Sequence, residues 1–356
     1  MRVVITGGAG FVGSSLALAI RERHPRAEIH CFDNLRRRGS ELNLERFRAR
    51  DIHFVHGDVR SPDDLAELPK TFDLCIDASA EPSVLAGLGG SPNYVLQTNL
   101  VGTLNCLELA RTRGKALIFL STSRVYSMGP LRELKFKEGQ TRLELELLQP
   151  WPGISARGVA EDFPTHLPRS LYGASKLASE LIIHEYCSTY GLRAVINRCG
   201  VIAGPGQFGK VDQGVFTLWV ANHVFNKALK YTGFGGAGKQ VRDLLHPEDL
   251  MDALDLQLSS LDKLTGQTFN LGGGPDISTS LAELTALCQK LSGNSVPIAS
   301  DPTTSPVDIP WYVTDSSRAE KAFGWKPKRG VDAIVGDIHS WLTREKARLA
   351  PLFGAG

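Results

Sequence analysis

Several features that define large classes of proteins are missing from this sequence. It has six cysteines in 356 residues and no CxxC pair, so it lacks a disulfide framework, and its thiols are expected to be buried in a reducing compartment. No apolar run approaches the length of a membrane span, and the strand that starts at Arg2 breaks at Gly7, too early for a signal peptide. We therefore expect a cytoplasmic protein without a membrane partner.

An excess of charge of one sign is also missing. Forty Lys and Arg residues face 38 Asp and Glu residues, and the resulting formal charge of +2 argues against a nucleic-acid partner. The cysteines have no spacing typical of a metal site, and no metal is expected. The chain does have 42% hydrophobic residues, which is enough for a large core in one large or two ordinary domains.

The chain begins with the order of strand, glycine turn and helix that a dinucleotide-binding site needs. A β-branched run covers Arg2–Thr6, and a helical stretch covers residues 14–23. Between them lie Gly7, Gly10 and Gly13, with the spacing GxxGxxG rather than GxGxxG. Glycines let a pyrophosphate approach the backbone, and the helix N-terminus offers free N–H groups to it.

A carboxylate ends the second predicted strand, which covers residues 28–32. Asp33 lies about 20 residues beyond the glycine turn, where it can accept hydrogen bonds from both hydroxyls of the adenosine ribose and would repel a 2′-phosphate. This position favours NAD as the cofactor. The arginines that follow, at positions 36–38, keep NADP open as an alternative.

Three further units have the same rhythm, each a short apolar run followed by small or polar residues. The runs cover residues 52–56, 72–77 and 116–120. They predict an α/β fold with a Rossmann-type, doubly wound parallel sheet, whose ligands lie beyond the carboxyl ends of the strands. Asp58 could then reach the adenine edge, although a capping role explains it equally well, and the small residues Ala78 and Ala80 would let the cofactor lie close.

A Tyr and a Lys lie four residues apart at the start of a long apolar-periodic run. Good helix formers fill Leu171–Tyr190, and Gly191 suits a helix C-terminus, so Tyr172 and Lys176 are predicted to share one face of a helix. An ammonium held near a phenol favours the phenolate. We therefore expect the tyrosine pKa to be lowered from about 10, which would make Tyr172 a base near neutral pH.

Six motifs occur along the chain in a recognisable order, over nearly its whole length. They are Gly7-Gly8-Ala9-Gly10-Phe11-Val12-Gly13, Asp33-Asn34-Leu35, Gly57-Asp58-Val59, Asn99 within residues 97–103, Ser121-Thr122-Ser123-Arg124-Val125-Tyr126 and Tyr172-Gly173-Ala174-Ser175-Lys176. Together they resemble the extended short-chain dehydrogenase/reductases, the family of nucleotide-sugar epimerases and dehydratases.

The resemblance implies a role for each matching residue. Catalysis would rest on Thr122, Tyr172 and Lys176, with Thr122 hydrogen-bonded to the substrate oxygen that Tyr172 deprotonates and Lys176 also reaching the nicotinamide ribose. The implied cofactor contacts, besides Tyr172 and Lys176, are Gly7, Gly10, Phe11, Val12, Gly13, Asp33, Asn34, Asp58, Val59, Ala78, Ala80 and Asn99. Dehydratases of the family carry an Asp-Glu pair directly after the Thr, whereas this chain has Ser123-Arg124, which disfavours dehydration.

Two glycine-rich loops are predicted to meet the substrate. Residues 204–214 form a polar loop beside the cofactor site, and residues 234–246 bring a Lys and an Arg together, which suits a diphosphate. Both loops and Thr122-Ser123-Arg124 resemble the CDP-paratose (CDP-tyvelose) 2-epimerases. The expected substrate contacts are Ser123, Arg124, Gln207, Lys239 and Arg242.

The resemblance also implies a division of the chain and a function. Residues 1–200 plus about 240–272 would form the NAD-binding domain, and residues 201–239 plus 273–356 a smaller α/β domain that binds the nucleotide sugar. The expected activity is NAD-dependent epimerisation of a nucleotide-diphosphate sugar by transient oxidation, in a homodimer or homotetramer. A 4-epimerase acting on another nucleotide sugar, a net dehydrogenase or reductase, and a nucleotide-binding scaffold without turnover stay open.

Overall fold

The computed structural model describes residues 1–209 and 213–354. Its strands, in chain order, are β1 (Arg2–Thr6), β2 (Glu28–Asp33), β3 (His53–His56), β4 (Leu74–Asp77), β5 (Ala116–Thr122), β6 (Phe136–Glu138), β7 (Leu143–Leu145), β8 (Ile154–Ser155), β9 (Gly158–Val159), β10 (Arg193–Cys199), β11 (Val201–Ile202), β12 (Leu229–Thr232), β13 (Val241–Leu245), β14 (Gln267–Leu271), β15 (Ser278–Ser280), β16 (Ile298–Asp301) and β17 (Trp311–Tyr312).

Helices connect most of these strands, as the apolar periodicity predicts. They are α1 (Phe11–Arg23), α2 (Asn43–Arg48), α3 (Pro62–Ala66), α4 (Asn93–Leu96), α5 (Gly102–Arg113), α6 (Met128–Arg132), α7 (Leu171–Tyr190), α8 (Val215–Val224), α9 (Pro247–Ser259), α10 (Leu261–Leu264), α11 (Leu281–Ser292), α12 (Ser317–Phe323), α13 (Val331–Arg344) and α14 (Lys346–Leu349).

The centre of the fold is a seven-stranded parallel sheet with the order β14-β10-β5-β4-β1-β2-β3. Successive side chains of a strand point to opposite faces, so along β1 Val3 and Ile5 enter one core and Val4 enters the other. Helices α1 and α9 cover the first face, and α5 and α7 cover the second. The predicted Rossmann-type, doubly wound fold is therefore confirmed.

A second core lies in the C-terminal part of the chain. Helices α8, α11 and α13 pack together there, beside a four-stranded mixed sheet in which β13 pairs with β11, β15 and β17. Strand β13, which falls in the range predicted for the cofactor domain, thus joins this smaller sheet, whereas β14 joins the large one. The predicted division into two domains stays a prediction.

The insertion between β5 and α7 contains elements that its sequence pattern does not reveal. Two short antiparallel hairpins, β6-β7 and β8-β9, lie within residues 127–169. The Val159 N–H donates to the Val313 carbonyl at 2.8 Å, and Phe163 and Val159 share a hydrophobic core with Trp311 and Tyr312. The insertion is thereby packed onto β17, next to α7.

The expected absences concern disulfides, metals and membranes. All six cysteines are free thiols, five of them buried and Cys187 partly exposed. Within residues 1–209 and 213–354, no helix has the length and apolarity needed to cross a bilayer, and no group of three or more His, Cys, Asp or Glu side chains could hold a metal ion.

Candidate active site

A cleft of about 650 Å³ opens at the carboxyl ends of the large sheet's strands. This position follows from the topology, because loops that leave parallel strands at the same edge meet there. The predicted site residues that line it are Gly7, Gly10, Phe11, Val12, Gly13, Asp33, Asn34, Val59, Ala78, Ala80, Thr122, Ser123, Arg124, Tyr172, Lys176 and Gln207. Asp58, Asn99, Lys239 and Arg242 are not among its lining residues.

The glycine turn forms a cradle that side chains would fill. Gly7 has a φ of 64°, and a Cβ there would lie 2.7 Å from the Ala78 carbonyl oxygen. A Cβ on Gly13 would overlap the Gly7 carbonyl, whereas a Cβ on Gly10 would lie 3.2 Å from that same oxygen. Gly10 also gives α1 no side-chain cap, so the first-turn N–H groups are available to a ligand. These features fit the pyrophosphate of a dinucleotide.

Asp33 lies at the edge of this cradle. Its two carboxylate oxygens accept hydrogen bonds from the Ala9 N–H at 3.1 Å and the Leu35 N–H at 2.8 Å. Burial raises the pKa of Asp33, and these backbone donors oppose that shift. The carboxylate is thus fixed in the cleft wall, where ribose hydroxyls can donate to its remaining lone pairs.

The arginines that kept NADP open contact protein groups. The Arg36 guanidinium carbon lies 4.0 Å above the centre of the Tyr94 ring. Arg37 Nη2 donates to the Phe208 carbonyl at 3.3 Å, and Arg38 Nη2 donates to the Pro351 carbonyl at 2.8 Å. These contacts tie the loop after β2 to distant parts of the chain.

Asp58 is not among the residues that line the cleft, and two neighbouring side chains hold its carboxylate. Arg60 donates to both of its oxygens, at 2.9 and 2.7 Å, and Asn34 Nδ2 donates to Oδ2 at 2.8 Å. The Arg60 guanidinium is the main reason why the pKa of Asp58 lies well below its usual range. The adenine contact proposed for Asp58 stays a prediction, and its carboxylate is already occupied.

Asn99 is fully buried in a π-helical turn, Gln97–Val101, between α4 and α5. Its Oδ1 accepts from the Glu81 N–H at 2.7 Å, and its Nδ2 donates to the Glu81 carbonyl and to Ser175 Oγ, both at 3.1 Å. Asn99 therefore joins the loop after β4 to α7. In this structure it supports the cleft from behind.

Helix α7, which carries Tyr172 and Lys176, begins and ends where the sequence predicts. The Ser170 hydroxyl caps its N-terminus by accepting from the Gly173 N–H at 3.2 Å, and Gly191 ends it with a φ of 66°. Tyr172 is in the first turn, so its ring enters the cleft beside the end of β5. There it contacts the Thr122 side chain, whose hydrogen bond favours the phenolate.

Lys176 is buried below the cleft, with only 2% of its surface exposed. Its Nζ donates to the carbonyls of Leu120 at 3.0 Å and Ser79 at 3.2 Å, and lies 4.4 Å from the centre of the Phe119 ring. Burial lowers the pKa of Lys176, and the largest opposing influence is the buried carboxylate of Asp77. The ammonium thus faces the strand ends.

The expected lowering of the tyrosine pKa is wrong for this structure. Burial raises the pKa of Tyr172 above its ordinary value, and Cys199 and Glu81 act in the same direction. The opposing influences are the Thr122 hydrogen bond and the positive charge of Arg124. Sequence spacing places Lys176 and Tyr172 on one helix face, but it does not show how deeply each group is buried.

The predicted substrate residues divide into two groups. Ser123, Arg124 and Gln207 line the cleft, although Gln207 Nε2 donates to the Ile202 carbonyl at 3.0 Å and its Oε1 accepts from Thr217 at 2.7 Å. Lys239 Nζ instead pairs with Glu138 at 2.8 Å. Residues 210–212 of the predicted substrate loop lie outside the described residues.

Arg242 also contacts protein groups. Its Nη2 donates to Asp308 Oδ1 at 3.1 Å and to the Ile309 carbonyl at 2.6 Å, and its side chain is 14% exposed. Burial, followed by the repulsion of Arg124, lowers the pKa of Arg242 to about 10, although Asp308 opposes the shift. The two arginines therefore lie close enough to influence each other.

Sequence reasoning missed a buried ion pair behind the site. Glu180, on α7, is 1% exposed and accepts from Arg198 Nη2 at 2.7 Å and from the Ser121 hydroxyl. It connects α7 with β5 and β10. The available signal was its position four residues after Lys176, together with an arginine inside the apolar strand β10.

Comparison with known proteins adds what the geometry leaves open. The model of the NAD dependent epimerase/dehydratase family matches residues 3–272. The chain belongs to this family of enzymes. NAD is therefore the cofactor, in agreement with the glycine cradle and with Asp33, and the predicted family is confirmed.

Relatives of the family include both epimerases and dehydratases. CDP-paratose 2-epimerase of Salmonella typhi is 31% identical over 96% of this chain and 99% of that protein. dTDP-glucose 4,6-dehydratase of Salmonella typhimurium is 27% identical over 96% of this chain and 92% of that protein. Membership of the family thus leaves the choice of reaction open.

A solved structure supports the fold. UDP-glucuronic acid 4-epimerase from Bacillus cereus, solved with UDP-glucuronic acid and NAD, matches with a TM-score of 0.77 over 97% of this chain and 99% of that chain. At 22% identity this similarity concerns the fold alone. It agrees with the seven-stranded sheet described above.

Proposed function

We propose that the protein is an NAD-dependent nucleotide-sugar epimerase that inverts a sugar carbon by transient oxidation, with a CDP-hexose inverted at C2 as the first candidate. The observation that carries the proposal is the meeting of Thr122, Tyr172 and Lys176 with the glycine cradle in one cleft. The similarity to CDP-paratose 2-epimerase supports the choice of substrate. We also propose the cytoplasm as its location and a homodimer or homotetramer as its assembly.

The chain's own groups suggest how such a reaction would run. The glycine cradle would hold the pyrophosphate of NAD, Asp33 the adenosine ribose and Lys176 the nicotinamide ribose. When bound, NAD supplies a carbon that accepts a hydride from the sugar and returns it. Thr122 would hold the reacting sugar oxygen, and Tyr172 would take its proton and later give it back. Inversion requires the keto-sugar to turn over between these two transfers.

The residues after Thr122 favour this reaction over dehydration. Removing water needs an acid at one carbon and a base at the next, and positions 123 and 124 carry a hydroxyl and a guanidinium instead. Glu81 is a carboxylate in the cleft wall, and its Oε1 accepts from the Ser83 N–H at 3.2 Å. A 4-keto-6-deoxy sugar among the products would assign Glu81 an acid–base role and contradict the proposal.

The first experiment identifies the ligands. Purified protein is denatured, the released small molecules are analysed by mass spectrometry, and the native protein is incubated with CDP-, UDP-, GDP- and dTDP-sugars. We expect released NAD and one epimerised nucleotide sugar without net formation of NADH. Accumulating NADH would indicate a net dehydrogenase, and no conversion of any sugar would favour a nucleotide-binding scaffold.

The second experiment tests the mechanism in deuterated water. Direct return of the hydride leaves no solvent deuterium on the inverted carbon, whereas proton abstraction next to a carbonyl introduces it. NMR of the product would also show whether C2 or C4 has inverted. Substantial deuterium at that carbon would exclude transient oxidation, and inversion at C4 would replace the CDP-hexose 2-epimerase with a 4-epimerase.

A further inference from the structure

A carboxylate is buried on the face of the large sheet that α5 and α7 cover. Asp77, the last residue of β4, is fully buried and lies between Thr6 of β1 and Phe119 of β5 in the parallel register. It follows Cys75 by two residues, and Cys75 and Phe119 enter the core under α5 and α7, so the carboxylate points to the same side. Burying a charge is costly unless a charge of opposite sign compensates it.

Hydrogen bonds from neutral groups fix the Asp77 carboxylate. Its Oδ1 accepts from the Thr6 hydroxyl at 2.8 Å and from the N–H and hydroxyl of Ser79 at 3.1 and 2.6 Å. Its Oδ2 accepts from the Thr103 hydroxyl at 3.0 Å. These donors satisfy the lone pairs but bring no full positive charge, so the negative charge itself requires another partner.

The Lys176 ammonium reaches the same place from α7. Its Nζ lies 4.4 Å from the centre of the Phe119 ring, and Phe119 is the strand neighbour of Asp77. Nζ also donates to the Ser79 carbonyl at 3.2 Å, while the N–H and hydroxyl of that serine donate to Asp77. One residue thus bonds to both charged groups and fixes their separation.

The other titratable groups that face the Lys176 ammonium are Cys106 on α5, Cys199 at the end of β10 and Glu180 on α7. Burial raises the pKa of both thiols, to about 12 for Cys199, so both are neutral near pH 7. Glu180 is neutralised by its arginine partner on β10, at 2.7 Å. Asp77 is therefore the negative charge that compensates Lys176.

We propose that Asp77 is a positioning residue for the reaction, the buried counter-ion that keeps the Lys176 ammonium charged beneath the cleft. The inference rests on the proposed function only in giving Lys176 a part in the reaction. Supporting the Tyr172 phenolate and holding the nicotinamide ribose are both tasks of a charged ammonium. Asp77 is not among the residues that line the cleft, so it acts on these tasks through Lys176.

The sign of the effect follows from the lysine. Burial lowers the pKa of Lys176, and Asp77 opposes that shift. Removing the Asp77 charge lowers this pKa further, so the ammonium loses its proton at a lower pH and the alkaline fall in kcat moves to lower pH. We expect Asp77→Asn to lose about tenfold in kcat at about pH 9, relative to the wild type, and less near pH 6.

The test is an NMR titration of protein saturated with NAD and labelled with ¹³C at the lysine Cε, with the Lys176 signal assigned by Lys176→Met. In Asp77→Asn the Lys176 signal should titrate at lower pH than in the wild type. The asparagine keeps the network, because its Nδ2 can donate to Thr103, whose hydroxyl has the Asn99 carbonyl as a second acceptor at 2.9 Å. Thr103→Val is the matched control. It removes a donor to the same carboxylate but keeps the charge, so its titration should stay close to that of the wild type.

Urea denaturation tests the same pair through stability, since a buried charge without its partner is destabilising. Asp77→Asn should lower the urea midpoint of the wild type. In the Lys176→Met background it should raise the midpoint, because Asp77 is then the uncompensated charge. If Asp77→Asn alone does not fold, recovery of folding in the double variant supports the inference, and failure of both to fold overturns it.

The outcomes separate this inference from the proposed function. A Lys176 titration that is the same in Asp77→Asn and the wild type overturns the inference, and so do equal shifts of the urea midpoint in the two backgrounds. Neither measurement needs substrate. A wild-type protein that converts no nucleotide sugar therefore contradicts the proposed function and leaves both measurements able to test the pairing of Asp77 with Lys176.

Discussion

The two ends of the cleft are built in different ways. At the cofactor end, the glycine turn contributes backbone groups and Asp33 a carboxylate, and that carboxylate accepts from the backbone N–H groups of Ala9 and Leu35, 24 and 2 residues away along the chain. At the predicted substrate end, Lys239 and Arg242 do not line the cleft, and they are paired with Glu138 and Asp308, more than 60 residues away along the chain. A local motif therefore identifies the cofactor end. A cation predicted to bind substrate can instead form an ion pair with a distant carboxylate that no motif reveals.

Tyr172→Phe should affect the reaction strongly and the cofactor end of the cleft very little. The ring still packs at the N-terminal end of α7, but the proton acceptor is lost. We therefore expect turnover to fall by about 10³-fold while the amount of bound NAD stays nearly unchanged. Initial rates and the NAD released on denaturation check both statements. Lys176→Ala is the contrasting variant and should lower both. Appreciable turnover by Tyr172→Phe would place the base elsewhere.

Asp33 tests the cofactor end by itself. A hydrogen bond to a charged group contributes about 1.5–3 kcal/mol, so Asp33→Asn should weaken NAD binding by about 10- to 100-fold. It should also reduce the ratio of the affinity for NAD to the affinity for NADP. Calorimetry with protein stripped of NAD measures both affinities. Asp58→Asn is the matched control, because Arg60 already occupies that carboxylate. Equal losses in the two variants would contradict the assignment of the ribose contact to Asp33.

Local patterns were sufficient to predict much of the fold. The limits of α7 follow from its run of good helix formers and from Gly191, and strands β1 to β5 of the large sheet follow from short apolar runs. The hairpins within residues 127–169 were missed because their strands are only two or three residues long and are held by contacts with the chain near Trp311. The sequence also does not show which sheet β13 joins, since its pattern of apolar residues would suit either sheet.

The site could be predicted in composition but not in electrostatics. Residues from contiguous motifs gather in one cleft as expected. The direction of the Tyr172 pKa shift was wrong, because burial outweighs a neighbouring charge and burial depends on the whole fold. Asn99 was assigned to the cofactor by resemblance, and this contact stays a prediction. Its side chain hydrogen-bonds to Glu81 and Ser175, an arrangement that a local motif does not reveal.

Phe208 packs between the loop after β2 and the C-terminal part of the chain. Its ring stacks on Phe353 with centroids 5.6 Å apart, and a Cβ on Gly39 would lie 2.5 Å from it. Because this contact covers the loop after β2, Phe208→Ala should speed NAD dissociation by about tenfold, as measured by the loss of bound NAD on dilution. Phe225→Ala is the control, since Phe225 stacks on Phe353 but is not among the residues that line the cleft. Unchanged retention in Phe208→Ala would show that the cofactor end closes by itself.

The smallest expected effect concerns the substrate end. If the diphosphate competes with Asp308 for Arg242, Asp308→Asn should lower KM by about threefold, the scale of a partly exposed ion pair. The same substitution in an Arg242→Gln background should then leave KM unchanged, because the group in competition is gone. Initial-rate kinetics on the wild type, the two single variants and the double variant measures the coupling directly. Equal changes in KM in both backgrounds would show that Arg242 supports the segment around Ile309 instead of binding the substrate, and the substrate end would then depend on Ser123, Arg124 and Gln207.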